Sequence, residues 1–168
     1  MTPEEQRRFQ QLRERLLKPW AMRAYLAAKL PLALFAGVRV RALTERRCEV
    51  SVPYGWRSTN PFRSTYFAAQ AMAAEMSTGL PALLAVRSSD VPVSMLVVEM
   101  WATYEKKATA TATFTCDQVA ELFAAVRGAR EGGEPTVAQV DTVGRLPDGT
   151  IVASFTFTWS FKRKQERA

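Results

Sequence analysis

Glu75 is the lone carboxylate of an otherwise apolar helical stretch of this sequence. Glu75 belongs to the stretch Ser58–Gly79, STNPFRSTYFAAQAMAAEMSTG, where a polar turn containing Asn60 and Pro61 runs into alanines at 68, 69, 71, 73 and 74. Alanine favours helix and lets neighbouring backbones approach closely, while Tyr66, Phe67, Met72 and Met76 supply bulk. A helix apolar nearly all round is a buried helix. Gln70 is about 140° away from Glu75 round the helical wheel, so the two make no solvent stripe. A carboxylate among small apolar side chains costs on the order of several kcal/mol unless it is paired, hydrogen-bonded or protonated. Such a group has a raised pKa and suits proton abstraction from water, or nucleophilic attack. Fifteen residues upstream, Asn60 carries an amide side chain in the polar turn.

Other chemistries are closed off by composition. The chain of 168 residues has no histidine, which removes Ser-His-Asp and Cys-His catalysis, HExxH zinc sites and imidazole bases. No metal-ligand spacing occurs, and neither a metal nor a separate cofactor is expected. Cys48 and Cys116 lie in alternating, strand-like contexts and read as small buried hydrophobes in a reducing compartment.

The elements that must position Glu75 and Asn60 follow from pattern. Thr2-Pro3-Glu4-Glu5 is a capping box that starts a helix, on which Phe9, Leu12 and Leu16 form one narrow apolar stripe. That stripe alone buries little. Pro19 opens a second helix over Trp20–Leu30, and Pro31 ends it. Trp20–Phe35 is interrupted by Arg23, Lys29 and Pro31 and falls short of the ~20 residues of a membrane span. No signal-peptide cleavage pattern stands at the start, so a cytoplasmic protein without stable membrane insertion is expected. Residues 38–44 and 48–54 alternate around Glu45-Arg46-Arg47 as a β-hairpin. The central helix is expected over 64–79, stopped at Gly79, with Leu80–Val86 as a short helical or irregular link. Residues 93–108 and 109–116 make one or two long strands, with Glu105-Lys106-Lys107 as the candidate bend. Asp117 is expected to cap a helix over Gln118–Val126. Residues 135–146 and 150–162 form a hairpin about Pro147-Asp148-Gly149, and its last strand alternates Ile151, Ala153, Phe155, Phe157, Trp159 and Phe161 with mainly hydroxyl residues. That apolar face needs a partner, and the alanine-rich helix is one. The fold class is α+β, one antiparallel sheet of five or six strands wrapped around one helix.

This order of elements resembles the hotdog superfamily of acyl-CoA thioesterases and dehydratases over residues 36–162. The segment 36–164 is then the hotdog domain, and 1–35 an N-terminal helical extension. The motif is similar to the thioesterase-like branch, related to the phenylacetate-type enzymes and often left as a domain of unknown function. Its pattern falls on Asn60, Ser64, Tyr66, Ala74-Glu75 and Gly79. The resemblance implies that Glu75 is the catalytic carboxylate and that Asn60 contacts the thioester carbonyl or the attacking water. It also implies an oxyanion or substrate-binding region around Tyr66, Phe67 and Ala68, with Ser77 and Thr78 close to the family's hydroxyl position. The His-Gly-Gly of the phenylacetate-type enzymes is Tyr66-Phe67-Ala68 here. The implied substrate is an acyl-CoA or an acyl group on a carrier protein, with the coenzyme A moiety as part of the substrate. The implied assembly is a homodimer or a dimer of dimers whose sites are shared between chains.

Structural readings stand beside the functional ones. Asn60-Pro61 is also a good turn, Tyr66 a core aromatic, and Glu75 a possible ion-pair partner for Arg87. Arg57, Arg63, Arg87, Lys106 and Lys107 form the pool for coenzyme A phosphates, or an ordinary charged surface. Three function classes follow: an acyl thioester hydrolase, a hotdog protein that binds acyl chains, acyl-CoA or a protein partner without turnover, and a basic-surface protein. The last rests on charge placement. Residues 1–47 hold eleven Lys and Arg against four Asp and Glu, the whole net charge of +7. No aromatic–basic interleaving accompanies it, so nucleic acid is not an expected partner.

Overall fold

The computed structural model describes residues 3–132 and 134–164. Three helices come first: α1 (Pro3–Leu17), α2 (Pro19–Lys29) and α3 (Pro31–Ala36). Proline starts each one, where its missing N–H costs nothing. β1 (Arg39–Leu43) and β2 (Cys48–Val52) form the first hairpin, and α4 (Phe67–Ser88) follows the polar turn. Then come β3 (Val93–Tyr104), β4 (Ala112–Cys116), α5 (Val119–Glu131), β5 (Thr136–Arg145) and β6 (Ile151–Arg163). The six strands make one antiparallel sheet in the order β1-β2-β4-β5-β6-β3.

The sheet curls around α4, as the alternation of β6 requires. Phe155, Phe157, Trp159 and Phe161 are buried, while Ser154, Thr156, Thr158 and Ser160 between them are half-buried on the other face. At the close approach of β5 to β4 the chain uses Gly144, where a Cβ would lie 2.5 Å from the Phe114 ring. Cys48 and Cys116 face each other across β2 and β4, buried and unbridged. Burial, and each thiol's proximity to other ionisable groups, pushes both thiols up, Cys116 to about 11.

Three sequence expectations are corrected. The central helix does not stop at Gly79; it runs unbroken through Gly79 and Pro81 to Ser88, so that residues 80–86 continue it rather than form a separate link. Every residue from Met76 to Ala82 is buried, and that packing outweighs the local cost of glycine and proline. Asp117 does not cap α5, whose N-cap is Gln118; instead its carboxylate takes Arg47 Nε at 2.5 Å. The apolar stripe of α1 buries more than its width suggests. Phe9 is fully buried in an edge-to-face contact with Phe123 at 5.4 Å, and Arg130 of α5 holds Glu5 at 2.6 Å.

The two edges of the sheet differ. β1 is short, carries Arg39 and Arg41, and is bulged between Val40 and Ala42. β3 is twelve residues long, with Leu96, Val98, Met100, Trp101 and Tyr104 exposed. A long apolar edge with unpaired backbone groups invites another strand.

Candidate active site

Glu75 lies in the third turn of α4 and points into a cavity of about 380 Å³. Its own helix contributes Met76, Gly79, Leu80 and Leu83; β3 adds Met95, Leu96 and Val97, and β6 adds Trp159. Met22, Tyr25 and Leu30, from α2 and the residue after it, close the remaining side. Among the described residues Glu75 has no ion pair and no side-chain hydrogen bond. Arg87 is exposed and does not reach it. Burial among apolar side chains therefore holds the Glu75 carboxyl above the ordinary carboxylate range.

Gly79 makes room for this carboxylate. A Cβ at position 79 would lie 2.6 Å from Glu75 Oε1 and 3.0 Å from the Trp159 ring. That ring is fixed from behind, because Trp159 Nε1 donates to Thr78 Oγ1 at 3.1 Å. Thr78 Oγ1 itself donates to the Glu75 carbonyl, and Ser77 Oγ bonds the Ala74 carbonyl and Thr142 Oγ1. Ser77 and Thr78 are fully buried and face internal partners; they do not line the Glu75 cavity.

Asn60 lines a different pocket, of about 520 Å³, at the start of α4. Asn60 Oδ1 accepts from the N–H groups of Phe62 and Ser64 and from Ser64 Oγ, at 3.0 to 3.2 Å. Its oxygen is thus committed to the turn, and its Nδ2 donates to nothing among the described residues. Tyr66 is the N-cap of α4 and supplies no side-chain cap. The N–H groups of Phe67 and Ala68 likewise find no acceptor among the described residues, and Phe67, at the positive helix end, lines the same pocket, which Ala68 does not. The Tyr66 and Phe67 rings lie 4.7 Å apart, and Tyr104 packs edge-on to Phe67 at 6.2 Å.

Glu75 and Asn60 do not meet within one chain. Glu75 is eight residues beyond the first residue of α4, roughly 12 Å along the helix axis, and the two side chains open into separate pockets. The cationic pool divides similarly. Lys106 and Lys107 line the Asn60 pocket, Arg57 lies in another cleft, and Arg63 and Arg87 line neither site pocket.

Residues not read from the sequence as site candidates also contribute. Gln70 is buried beside Asn60; its Nε2 donates to the Thr65 carbonyl at 3.1 Å, while its Oε1 has no partner. Its place within one turn of the helix start was the available signal. Met22, Tyr25 and Leu30 gave none, because their partner surface is formed by β3 and α4, far away in sequence. No group of residues suited to holding a metal ion occurs among the described residues.

The model of one protein family, the domain of unknown function DUF4442, matches residues 18–161. The chain belongs to the DUF4442 family. This match includes α2 and α3, so both helices fall within the region shared by DUF4442 proteins. No curated protein sequence matches the chain. Solved structures show the hotdog fold. A Pseudomonas aeruginosa protein of unknown function described as a probable thioesterase, PA5026, is 18% identical over 87% of this chain and 97% of its own, with a TM-score of 0.69. A Chlorobaculum tepidum protein of unknown function, OLEI01261, is 12% identical over 85% and 93%, with a TM-score of 0.72. The Haemophilus influenzae thioesterase HI1161 is 12% identical over 86% and 92%, with a TM-score of 0.63. This DUF4442 chain is therefore an α+β hotdog protein. None of its described helices is long and apolar enough to cross a membrane.

Proposed function

We propose that this protein hydrolyses an acyl thioester, on coenzyme A or a carrier protein, at a site assembled from two copies of the chain. The observation that carries the proposal is Glu75, an unpaired carboxylate held above its usual pKa in an apolar cavity. Such a base, with its pKa moved toward the working pH, is suited to taking a proton from water.

The second half of the site comes from the start of α4. Antiparallel pairing of two β3 edges about a two-fold axis near Met100 would set residue 96 of one copy against residue 104 of the other. Leu96 lines the Glu75 cavity and Tyr104 lines the Asn60 pocket, so this pairing brings the two unlike pockets together. The acyl chain then occupies the Glu75 cavity, and the thioester carbonyl meets the N–H groups of Phe67 and Ala68 and the amide of Asn60. Water attacks the carbonyl carbon as Glu75 takes its proton. The C–S bond breaks, and the proton passes to the departing thiolate. Attack by the Glu75 carboxylate itself, through an anhydride that water then opens, uses the same geometry. Lys106 and Lys107 stand at the Asn60 pocket to meet phosphates of the carrier.

A second reading is binding of the acyl ligand without turnover. It is favoured by the Tyr66 and Phe67 rings, which crowd the helix start where phenylacetate-type enzymes resemble each other in carrying glycines. A panel of acyl-CoAs with free-thiol detection, run on wild type and Glu75→Gln, separates the two. Hydrolysis that falls on the order of a hundredfold in Glu75→Gln supports the hydrolase. Saturable acyl-CoA binding without thiol release supports the binding protein.

A further inference from the structure

Across Met22 from the Glu75 cavity, the N-terminal helices and β1 enclose another cleft, of about 420 Å³, within the usual range for small-molecule sites. Its floor is aliphatic, formed by Leu16, Met22, Leu26, Leu34 and Val38. Its polar lining is three guanidinium groups, Arg23, Arg39 and Arg57, and no carboxylate lines it. Between Arg15 and Thr44 the sequence has no acidic residue at all. Arg8, Arg47 and Arg130 each pair with a carboxylate, whereas among the described residues the three arginines of the cleft have none.

Arg57 is placed there by its surroundings. Ser58 pins the turn that carries it, with Ser58 Oγ donating to the Pro53 carbonyl at 2.5 Å and its N–H to the Gly55 carbonyl at 2.9 Å. Gly37, at φ +80° where α3 ends, allows the close approach of Pro53, whose Cγ would lie 3.0 Å from a Cβ there, with Arg57 Nη2 in contact at 3.4 Å. Three like charges above an apolar floor repel one another unless an anion sits between them. Guanidinium groups match the oxygens of a carboxylate or a phosphate, and the floor matches an alkyl chain.

We propose that this cleft binds a single-chain anionic amphiphile, with its carboxylate or phosphate head on Arg23, Arg39 and Arg57 and its tail along the aliphatic floor. The site is independent of the thioester chemistry and needs no turnover. Trp20 and Trp56 are the sequence neighbours of the lining residues Pro19 and Arg57 and are strongly exposed, so a change in their fluorescence on binding is expected.

The test is calorimetric and fluorescence titration of the full chain with dodecanoate and with dodecyl phosphate, below their micelle concentrations. One saturable equivalent is expected, with dodecanol binding roughly tenfold or more weakly because it lacks the charged head. The tighter head distinguishes a fatty acid from a phosphorylated lipid as the source. Arg23→Gln with Arg57→Gln, both surface changes, should weaken binding by roughly tenfold or more. Trp20→Phe with Trp56→Phe should lose the fluorescence change and keep the heat of binding. Leu83→Trp, which fills the Glu75 cavity, should leave the binding intact. Equal affinity for dodecanol, unchanged binding in the double arginine variant, or loss of binding in Leu83→Trp would overturn the proposal. So would displacement by coenzyme A without an acyl chain, which would hand the arginines to the substrate's carrier.

Discussion

Gly79 and Glu75 sit one helical turn apart on α4, so close that a Cβ on Gly79 would lie 2.6 Å from Glu75 Oε1. The same Cβ would press on the Trp159 ring, which its bond to Thr78 holds in place. Helix propensity alone says that Gly79→Ala gains about 1 kcal/mol, but overpacking in a rigid core costs about 1–3 kcal/mol. Gly79→Ala is therefore expected to lower the melting temperature by roughly 2–4 °C. Displacing the carboxylate should also reduce acyl-CoA turnover about tenfold or more. Calorimetry and thiol-release kinetics on one preparation check both.

The pH dependence of stability follows from the direction of the Glu75 shift. Its pKa is raised in the folded state by burial, so the folded chain holds this proton to higher pH than the unfolded chain does. Stability is then lost as pH rises from the ordinary carboxylate pKa to the raised one, and is flat beyond. Glu75→Gln removes this loss. Its melting temperature should equal or exceed that of wild type at pH 8, with the gap closing toward pH 4. An ion-paired glutamate would show the reverse, a variant that melts lower at pH 8.

Gln70 lines the Asn60 pocket, and its carbonyl oxygen is buried without a partner. In the proposed site a rotation of the side chain would turn that oxygen to an amide N–H of the pantetheine arm. Gln70→Leu, which keeps the bulk, should raise KM for acyl-CoA roughly three- to tenfold, as loss of one neutral hydrogen bond does, with kcat little changed. A fall in kcat at constant KM would place Gln70 in the chemistry instead.

Much of this architecture was legible from residue pattern. From Ala153 to Phe161 β6 alternates with period two, so its buried face of Phe155, Phe157, Trp159 and Phe161 could be read directly, whereas Val152, placed on the other face by the same pattern, is buried too. The end of α4 could not. Gly79 and Pro81 are breakers in any local reading, and only the shell of strands that buries residues 76–82 keeps the helix going to Ser88. Asp117 failed as a cap because Arg47, seventy positions away, competes for its carboxylate. In the site, Glu75 was visible as a charge on an apolar helix. Ser77 and Thr78 lay near it in sequence, yet their hydroxyls turn to Ala74, Thr142 and Glu75 backbone or side-chain oxygens inside the core. The wall supplied by Met22, Tyr25 and Leu30 was invisible for the opposite reason, since tertiary packing alone brings α2 to β3.

The β3 edge carries the proposed assembly, with Val98, Met100 and Trp101 exposed along it. A lysine at a strand edge blocks pairing with a second strand. Met100→Lys with Trp101→Lys should convert a dimer to a folded monomer by light scattering and abolish hydrolysis, although neither residue lines the Glu75 cavity. A dimer that persists in this variant would move the interface elsewhere.

The most direct test mixes two crippled chains. In the proposed site Glu75 and Asn60 come from different copies, so Glu75→Gln and Asn60→Ala homodimers are each nearly inactive. After unfolding and refolding together at equal concentrations, half the dimers are mixed, and each mixed dimer carries one site with both native residues. Hydrolysis should recover to about a quarter of the wild-type rate per chain, as random pairing of a two-fold dimer requires. A mixture no more active than the mean of the two separate variants would contradict a site shared between copies.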